Sequence, residues 1–505
     1  MGLHDITFYD IINRSATCFG KKDAWIDVSD GRSVTFSQYR DMVNCLASGL
    51  QNLGLRKGDR IAALGKNSLE VFLLYGASAA LGTIMLPVNW RLSDHEVCFN
   101  INDCTPKVCF VGKEYHEKIR ELSGKLKSIE KYYSFGAENS IFYDFYSLLD
   151  NDGGFVREDN SSNDGFVIIH TAAVGGKPKG ALLSHQNVLC ANFHLMMALK
   201  LTQEDVHLNI LPLFHAGGLF AVTSSFHAGA LNINMRKFDA GEATRLIEKR
   251  SVSVIHEFTP ILDTILGEHK KENIDVSSLR TAIGLETAAC IEKYQEITGG
   301  TFCSLYGQTE VSGFASIGHY SDSPGSVGKP VPLAEVILVD GYDQPVPTGL
   351  VGEITVKGPL VFKGYWNRPA DNLHMFRNDR HHTGDLGRFD EQGFLWYEGR
   401  LAEKELIKPG GENVYPAEVE NIILQHPAID RVVVFGVPDP KWKEAIKAVC
   451  QLKAGRYVSP EAIIDFVGER LARFKKPQCV EFGEDFPILE NGETDRGRIK
   501  ALYGG

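Results

Sequence analysis

No two of the ten cysteines, at 18, 45, 98, 104, 109, 190, 290, 303, 450 and 479, are spaced as C-x-x-C. No His/Cys cluster has zinc spacing either, which argues against a zinc module and a thioredoxin-like dithiol. The expectation is buried, reduced thiols in a cytosolic protein. Positive charge is also in short supply. A formal net charge of −11 disfavours nucleic acid as a partner, since phosphate backbones select a basic footprint. It does not exclude ATP, because local amides, lysines and a metal can dominate one pocket. The opening MGLHDITFYDII lacks a basic head followed by an apolar run, so no signal peptide is expected. Gly2 would lead the mature chain, but Ile6 stands where myristoylation favours Ser or Thr, with Thr7 one place late. The uncharged run Val71 to Leu86 is shorter than a bilayer span and is broken by Gly76 and Gly82. It predicts a buried helix leading into a core strand, and no transmembrane segment. Repeats and low-complexity tracts are absent.

What is present is ordinary for a globular protein: 43% hydrophobic and 23% charged residues. At 505 residues the chain exceeds one core, and its length predicts about three structural units. Leu46, Leu50 and Leu53 make a helical stripe over Tyr39 to Leu53, with Gly54 placed to end it. Arg60–Leu64 reads as a short buried strand. Phe166–His170 reads as a strand ending in a Gly-rich turn, followed by a helix from near Ser184. Such alternation predicts α/β layers with parallel sheets. Gly352–Lys357 and Gly393–Glu398 look like strands of a β-rich region. The texture changes near Gly399-Arg400, which divides the chain into domains 1–399 and 400–505. In the second, helices are expected at Pro416–Gln425 and Glu461–Phe474, the latter with Ile464, Val467 and Leu471 inward, and a strand at Arg431–Phe435.

Chemistry-bearing residues cluster in five blocks. Thr171-Ala172-Ala173-Val174-Gly175-Gly176-Lys177-Pro178-Lys179-Gly180 follows a predicted strand, and its glycines let backbone N–H groups approach phosphate oxygens while lysines add charge. Leu211-Pro212-Leu213-Phe214-His215-Ala216-Gly217-Gly218 sets a histidine in apolar sequence. Tyr306-Gly307-Gln308-Thr309-Glu310 joins an aromatic ring to a hydroxyl and a carboxylate. Thr383-Gly384-Asp385 offers a short carboxylate, able to take two hydrogen bonds from a vicinal diol. Lys408-Pro409-Gly410-Gly411-Glu412-Asn413-Val414-Tyr415-Pro416-Ala417-Glu418-Val419-Glu420 is the last. Taken singly, these fit blander readings: a Gly-Pro surface turn, a satisfied core histidine, an Asx-turn at Asp385. Phe214, Phe220, Phe226 and Phe258 suit an apolar acyl tunnel or plain core alike.

Together and in this order, from about Phe36 to Lys500, the blocks resemble the adenylate-forming superfamily of acyl-CoA synthetases, luciferases and peptide-synthetase adenylation domains. The resemblance implies an α/β fold with a large N-terminal domain, made of two β-α layers plus a distorted β-barrel, and a small mobile α+β C-terminal domain. It implies that Thr171, Gly176 and Lys179 hold phosphates, that Tyr306 stacks on adenine beside Gly284, and that Gly307, Gln308 and Thr309 complete the nucleotide contacts. Glu310 resembles the Mg2+ ligand, Asp385 the acceptor for the ribose hydroxyls, and Arg400 its neighbour. His215 borders the carboxylate and acyl pocket with Phe214 and Phe258, while Gly410 and Gly411 border the pantetheine tunnel. Catalytic roles fall to Lys179, His215, Thr309 and Glu310, and Lys404 is a hinge candidate.

The chain departs from this pattern at three places. Ala172-Ala173-Val174-Gly175 stands where relatives carry Ser-Gly-Thr-Thr, and Leu285-Glu286 replaces Ala-Pro after Gly284. In the tail, the usual lysine of P-x-T-x-x-G-K is replaced by Glu493 when Pro487 and Gly492 are aligned, or by Arg498 when Thr494 and Gly497 are. Loss of that ammonium is worth on the order of 2–4 kcal/mol of transition-state stabilisation. The expected function is an AMP-forming carboxylic acid–CoA ligase using ATP, CoA and Mg2+, its ATP half-reaction either weakened or served by Lys500 or another lysine from a shifted position. The competing expectations are a nucleotide- or acyl-CoA-binding homologue impaired in catalysis, and an adenylating enzyme serving another acyl acceptor. A fatty, aryl or alicyclic acid remains open as substrate, and a homodimer is among the open oligomeric states.

Overall fold

The computed structural model describes residues 5–136, 141–171, 178–401, 406–409, 412–439, 443–484, 486–488 and 494–504. The chain divides into two compact units. One comprises Met1–Trp90, Ile101–Ile169 and Gly180–Gly399, the other Arg91–Asn100, His170–Lys179 and Arg400–Gly505.

Local signals in the first unit translate directly into elements. Helix Phe36–Asn52 begins in a capping box: Thr35 Oγ1 accepts the Gln38 N–H and the Gln38 side chain accepts the Thr35 N–H. Gly54, at φ +91°, lies just past its end. The run Val71 to Leu86 becomes helix Leu69–Leu81, buried at every position, a left-handed Gly82, and strand Ile84–Pro87. Among the described residues no helix is long and apolar enough to cross a membrane. Strand Arg60–Leu64 forms as expected, and the expected Phe166–His170 runs Gly165–Thr171.

These elements build two mixed sheets. One has nine strands in the order Lys329–Pro330, Ser316–His319, Thr301–Tyr306, Thr281–Leu285, Val254–Phe258, Val206–Asn209, Leu231–Asn234, Asp23–Asp27, Ser33–Thr35. From Thr301–Tyr306 to Asp23–Asp27 all neighbours are parallel, so helices must cover both faces. The other sheet has eight strands, with Arg60–Leu64 between Ile84–Pro87 and Val108–Val111. Phe226 is fully buried in the main core, its ring centroid 4.8 Å from Phe36 and 5.0 Å from Tyr39. Phe220 is equally buried, so both are core rather than tunnel lining.

Where the resemblance implies a barrel, a four-stranded antiparallel sheet joins Glu335–Val339, Gly352–Lys357, His381–Phe389 and Leu395–Arg400. The last strand starts two residues later than Gly393, because Gly393 at φ +81° closes a turn on the Asp390 carbonyl.

The second unit contains a sheet of Ile429–Asp439, Lys443–Leu452 and Cys479–Phe482, with helices Pro416–Ile423, Pro460–Gly468 and Arg496–Tyr503. The helix expected through Phe474 stops at Gly468, a poor helix former, and the Leu471 N–H closes on the Val467 carbonyl. Ile463 and Val467 are its buried pair, with Ile464 only half-buried. Just beyond, the Lys475 ammonium lies 2.6 Å from carboxylates of both Glu96 and Glu418. All ten cysteines are free, but Cys18 and Cys479 are exposed, against the expectation of buried thiols. One sits on the outer side of helix Phe8–Phe19, the other in a strand pairing on one side only.

Candidate functional site

Asp385 is the most constrained of the candidate residues. Strands Gly352–Lys357 and His381–Phe389 pair regularly at Glu353↔Leu386 and again at Thr355↔His382, with a register shift between. One residue on the first strand therefore opposes three on the second, and Thr383-Gly384-Asp385 bulges out. Gly384 takes φ +68°, which a glycine permits without strain. The bulge is fastened by its own side chains and by its partner strand. Thr383 Oγ1 donates to the Ile354 carbonyl at 2.6 Å and accepts the Asp385 N–H at 3.1 Å. The Gly384 N–H donates to Glu353 Oε1 at 2.9 Å.

The bulge turns the Asp385 carboxylate to the end of strand Thr301–Tyr306. There the Tyr306 hydroxyl donates to Asp385 Oδ2 at 2.8 Å, and the Gln308 amide donates to the same oxygen and, at 3.0 Å, to the Thr383 carbonyl. Asp385 is 1% exposed and Tyr306 6%. The Tyr306 ring runs nearly parallel to that of Tyr397, at 6.0 Å between centroids and 27°. Gly307 has no room for a side chain: a Cβ would fall 2.1 Å from the Gly313 carbonyl oxygen. Gly284 is equally obligate, with the Glu257 carbonyl oxygen 1.9 Å from such a Cβ.

Glu310 follows in the short helical turn Thr309–Val311, buried at 7%. Its Oε1 accepts the Tyr365 hydroxyl at 2.8 Å and its backbone carbonyl accepts the Phe362 N–H at 3.0 Å. Thr309 is half-buried beside it.

His215 caps helix Ala216–Ala228. Its Nδ1 accepts the Gly217 N–H at 3.1 Å, which leaves the proton of the neutral ring on Nε2. The Phe258 ring meets the imidazole edge-on at 5.9 Å, and Phe214 meets Trp90 edge-on at 6.4 Å. Phe214 and Phe258 are half-buried, unlike the core phenylalanines. The loop before His215 is pinned from far along the chain. Asn67 receives the Leu213 N–H and donates to the Leu211 carbonyl, both at 2.8 Å, and the Tyr75 hydroxyl donates to the Leu213 carbonyl at 2.7 Å.

Thr171, Lys179 and Arg400 belong to the second unit. Thr171 Oγ1 donates to the Lys179 carbonyl at 3.4 Å, and Arg400 donates to the Tyr415 hydroxyl at 3.3 Å. Gly176, Lys404, Gly410, Gly411 and Glu493 lie outside the described residues. Arg498 is exposed in the first turn of helix Arg496–Tyr503. Sequence reasoning missed Glu353, Tyr365, Asn67 and Tyr75. Each acts through a partner remote in sequence, and none sits in a block that announces chemistry.

The model of the AMP-binding enzyme family matches residues 12–366, and that of the AMP-binding enzyme C-terminal domain matches 418–493. The indoleacetate–CoA ligase of Aromatoleum aromaticum is 32% identical over 482 residues, 93% of each chain. A long-chain-fatty-acid–CoA ligase of Mycobacterium tuberculosis is 30% identical over 498 residues, 98% of each. A solved structure of o-succinylbenzoate CoA synthetase from Bacillus subtilis, bound to a product analogue, aligns with a TM-score of 0.85 at 27% identity, covering 98% of each chain.

Proposed function

The chain belongs to the AMP-binding enzyme family, and from that premise we propose that it is an AMP-forming carboxylic acid–CoA ligase. The observation that carries this reading is the buried Asp385 carboxylate, turned out by a bulge and held on one oxygen by Tyr306 and Gln308. A short, orientationally fixed anion suits the two hydroxyls of a ribose. In the first half-reaction the substrate carboxylate attacks the α-phosphorus of ATP, the bond to the bridging oxygen breaks, and pyrophosphate leaves. In the second, the sulfur of CoA attacks the acyl carbon and AMP departs.

Tyr306 supplies the stacking face for adenine, against which Gly284 allows close approach. Gly307, Gln308 and Thr309 shape the turn over the nucleotide, and Arg400 is assigned a nucleotide contact on its motif. Thr171, Gly176 and Lys179 hold phosphate oxygens, as phosphoryl transfer requires. Glu310, a single buried carboxylate oriented by Tyr365, fits a Mg2+ shared with phosphates, and bound there the ion would neutralise their charge. His215 presents Nε2–H to the substrate carboxylate, Phe214 and Phe258 line the acyl side, and Gly410 and Gly411 face pantetheine. Domains 1–399 and 400–505, the second mobile between half-reactions, belong to the same proposal. Ten free cysteines support a reducing, cytoplasmic setting.

Incubation with ATP, Mg2+, CoA and a panel of indoleacetate, o-succinylbenzoate and long-chain fatty acids tests the reading. AMP and thioester forming in equal amounts with one acid is the expected result. Tight AMP binding with neither product from any acid would instead favour a binding protein. Turnover only with an amine or carrier-protein acceptor would replace CoA in the assignment.

A further inference from the structure

The buried charges behind the Asp385 bulge have no place in the chemistry above. Glu353 is 8% exposed and pairs with Leu386 at the edge of the bulge, on strand Gly352–Lys357. One of its carboxylate oxygens, Oε1, takes the Gly384 N–H at 2.9 Å. The other, Oε2, takes His382 Nδ1 at 2.9 Å and an Arg377 NH2 at 3.1 Å. Arg377 in turn grips Asp343 through Nε at 3.0 Å, and Asn378 adds a bond to the same Asp343 carboxylate at 2.9 Å. His382 immediately precedes the bulge, and its Nδ1 also faces Asp343 at 3.8 Å. Asp343, Glu353 and His382 have the composition of a cation site, but the Arg377 guanidinium already supplies the positive charge between the two carboxylates.

We propose that Glu353 is a positioning residue for nucleotide recognition: gripping the Gly384 N–H, it locks the bulge that aims Asp385 at the ribose. A two-residue excess in one strand has several conformations of similar energy, and a buried acceptor bonded to its middle N–H selects one of them. His382, Arg377 and Asp343 stop the Glu353 carboxylate from rotating away. Burial raises the Glu353 carboxyl, yet the His382 and Gly384 hydrogen bonds outweigh it and hold the group below its ordinary range, so it stays an anionic acceptor near neutrality.

This inference rests on the reading of Asp385 as the ribose acceptor, and one set of titrations separates the two. The affinities of ATP and 2′,3′-dideoxy-ATP are measured for the wild-type chain, D385N, E353A, E353Q and the double variant D385N/E353A. Wild type is expected to prefer ATP by about tenfold or more, the worth of a charge-assisted bond to the diol. D385N and E353A are each expected to cut that preference to within about threefold, and the double variant to cut it no further, since both act on one interaction. E353Q, which keeps an acceptor for the Gly384 N–H, is expected to retain most of it. Should E353A not fold, E353D, which withdraws the carboxylate by one methylene, takes its place. A wild-type preference in D385N overturns the ribose reading and this inference with it. Loss of preference in D385N but not in E353A overturns this inference alone. So does an E353A that weakens both nucleotides equally, the mark of a merely structural role.

Discussion

At the scale of single residues, recognition rests on groups that have no freedom to be elsewhere. Gly307 must be glycine because two backbone segments close over it, the Gly313 carbonyl oxygen at 2.1 Å and Phe314 Cα at 2.3 Å from any Cβ. G307A is therefore expected to move the Tyr306–Glu310 turn and raise the KM for ATP by more than about tenfold, with a stability loss of about 1–3 kcal/mol. Steady-state kinetics and urea unfolding read the two effects. Tyr306→Phe is a gentler test. It keeps the ring but removes the hydroxyl that donates to Asp385, leaving Gln308 on the same oxygen, and a KM increase of roughly threefold to tenfold is expected with kcat little changed.

At the scale of elements, ends and irregularities carry the specificity, while strand and helix interiors supply the frame. Helix His185–Ala198 begins in a reciprocal cap: Ser184 Oγ accepts the Asn187 N–H at 3.2 Å, and Asn187 Oδ1 accepts the Ser184 N–H at 2.8 Å. Asn187 Nδ2 also donates to the Pro359 and Val361 carbonyls at 2.8 and 2.9 Å, tying the helix start to the segment after strand Gly352–Lys357. Asn187→Ala leaves buried carbonyls and an open cap, so a loss of about 2–4 kcal/mol is expected in denaturant unfolding. Ser184→Ala, which spares the bonds to Pro359 and Val361, is expected to cost only about 1 kcal/mol.

At the scale of the whole molecule, acid stability is set by histidines buried in their neutral form. Burial lowers His185 and His207 to about 4, with the bond to Asn232 partly offsetting the effect at His207. An unfolded histidine titrates near 6.5. Above that pH the stabilisation is complete, and it is lost progressively as pH falls from 6.5 to 4, by about 3 kcal/mol for each of the two. Glu353, held low, adds its own loss below about pH 4.3. Melting temperatures between pH 7 and 4 should fall accordingly, and H207Q should flatten the upper part of that fall. The two half-reactions divide at the same scale. If Glu493 stands in the slot of the family's lysine, Glu493→Lys is expected to raise ATP–pyrophosphate exchange by about 100-fold or more. Thioester formation from supplied acyl-AMP should stay unchanged. An exchange rate unaffected by the substitution would move the slot to Arg498.

The α/β alternation, the strand Arg60–Leu64, the helix capped at Ser184 and the motif blocks were legible in the residues themselves. Hydrophobic period, caps and glycine punctuation are local signals, and short-range physics suffices to write them. Phe214 and Phe220 could not be told apart in that way, since both are phenylalanines in apolar sequence, yet one is half-buried beside Trp90 and the other is core. Nor could Glu353 be linked to Gly384, or Asn67 to Leu213 across 146 residues. Those pairings depend on which strands and loops become neighbours. Tertiary packing alone decides that, because a hydrogen bond between remote residues forms only after the core has brought their backbones together.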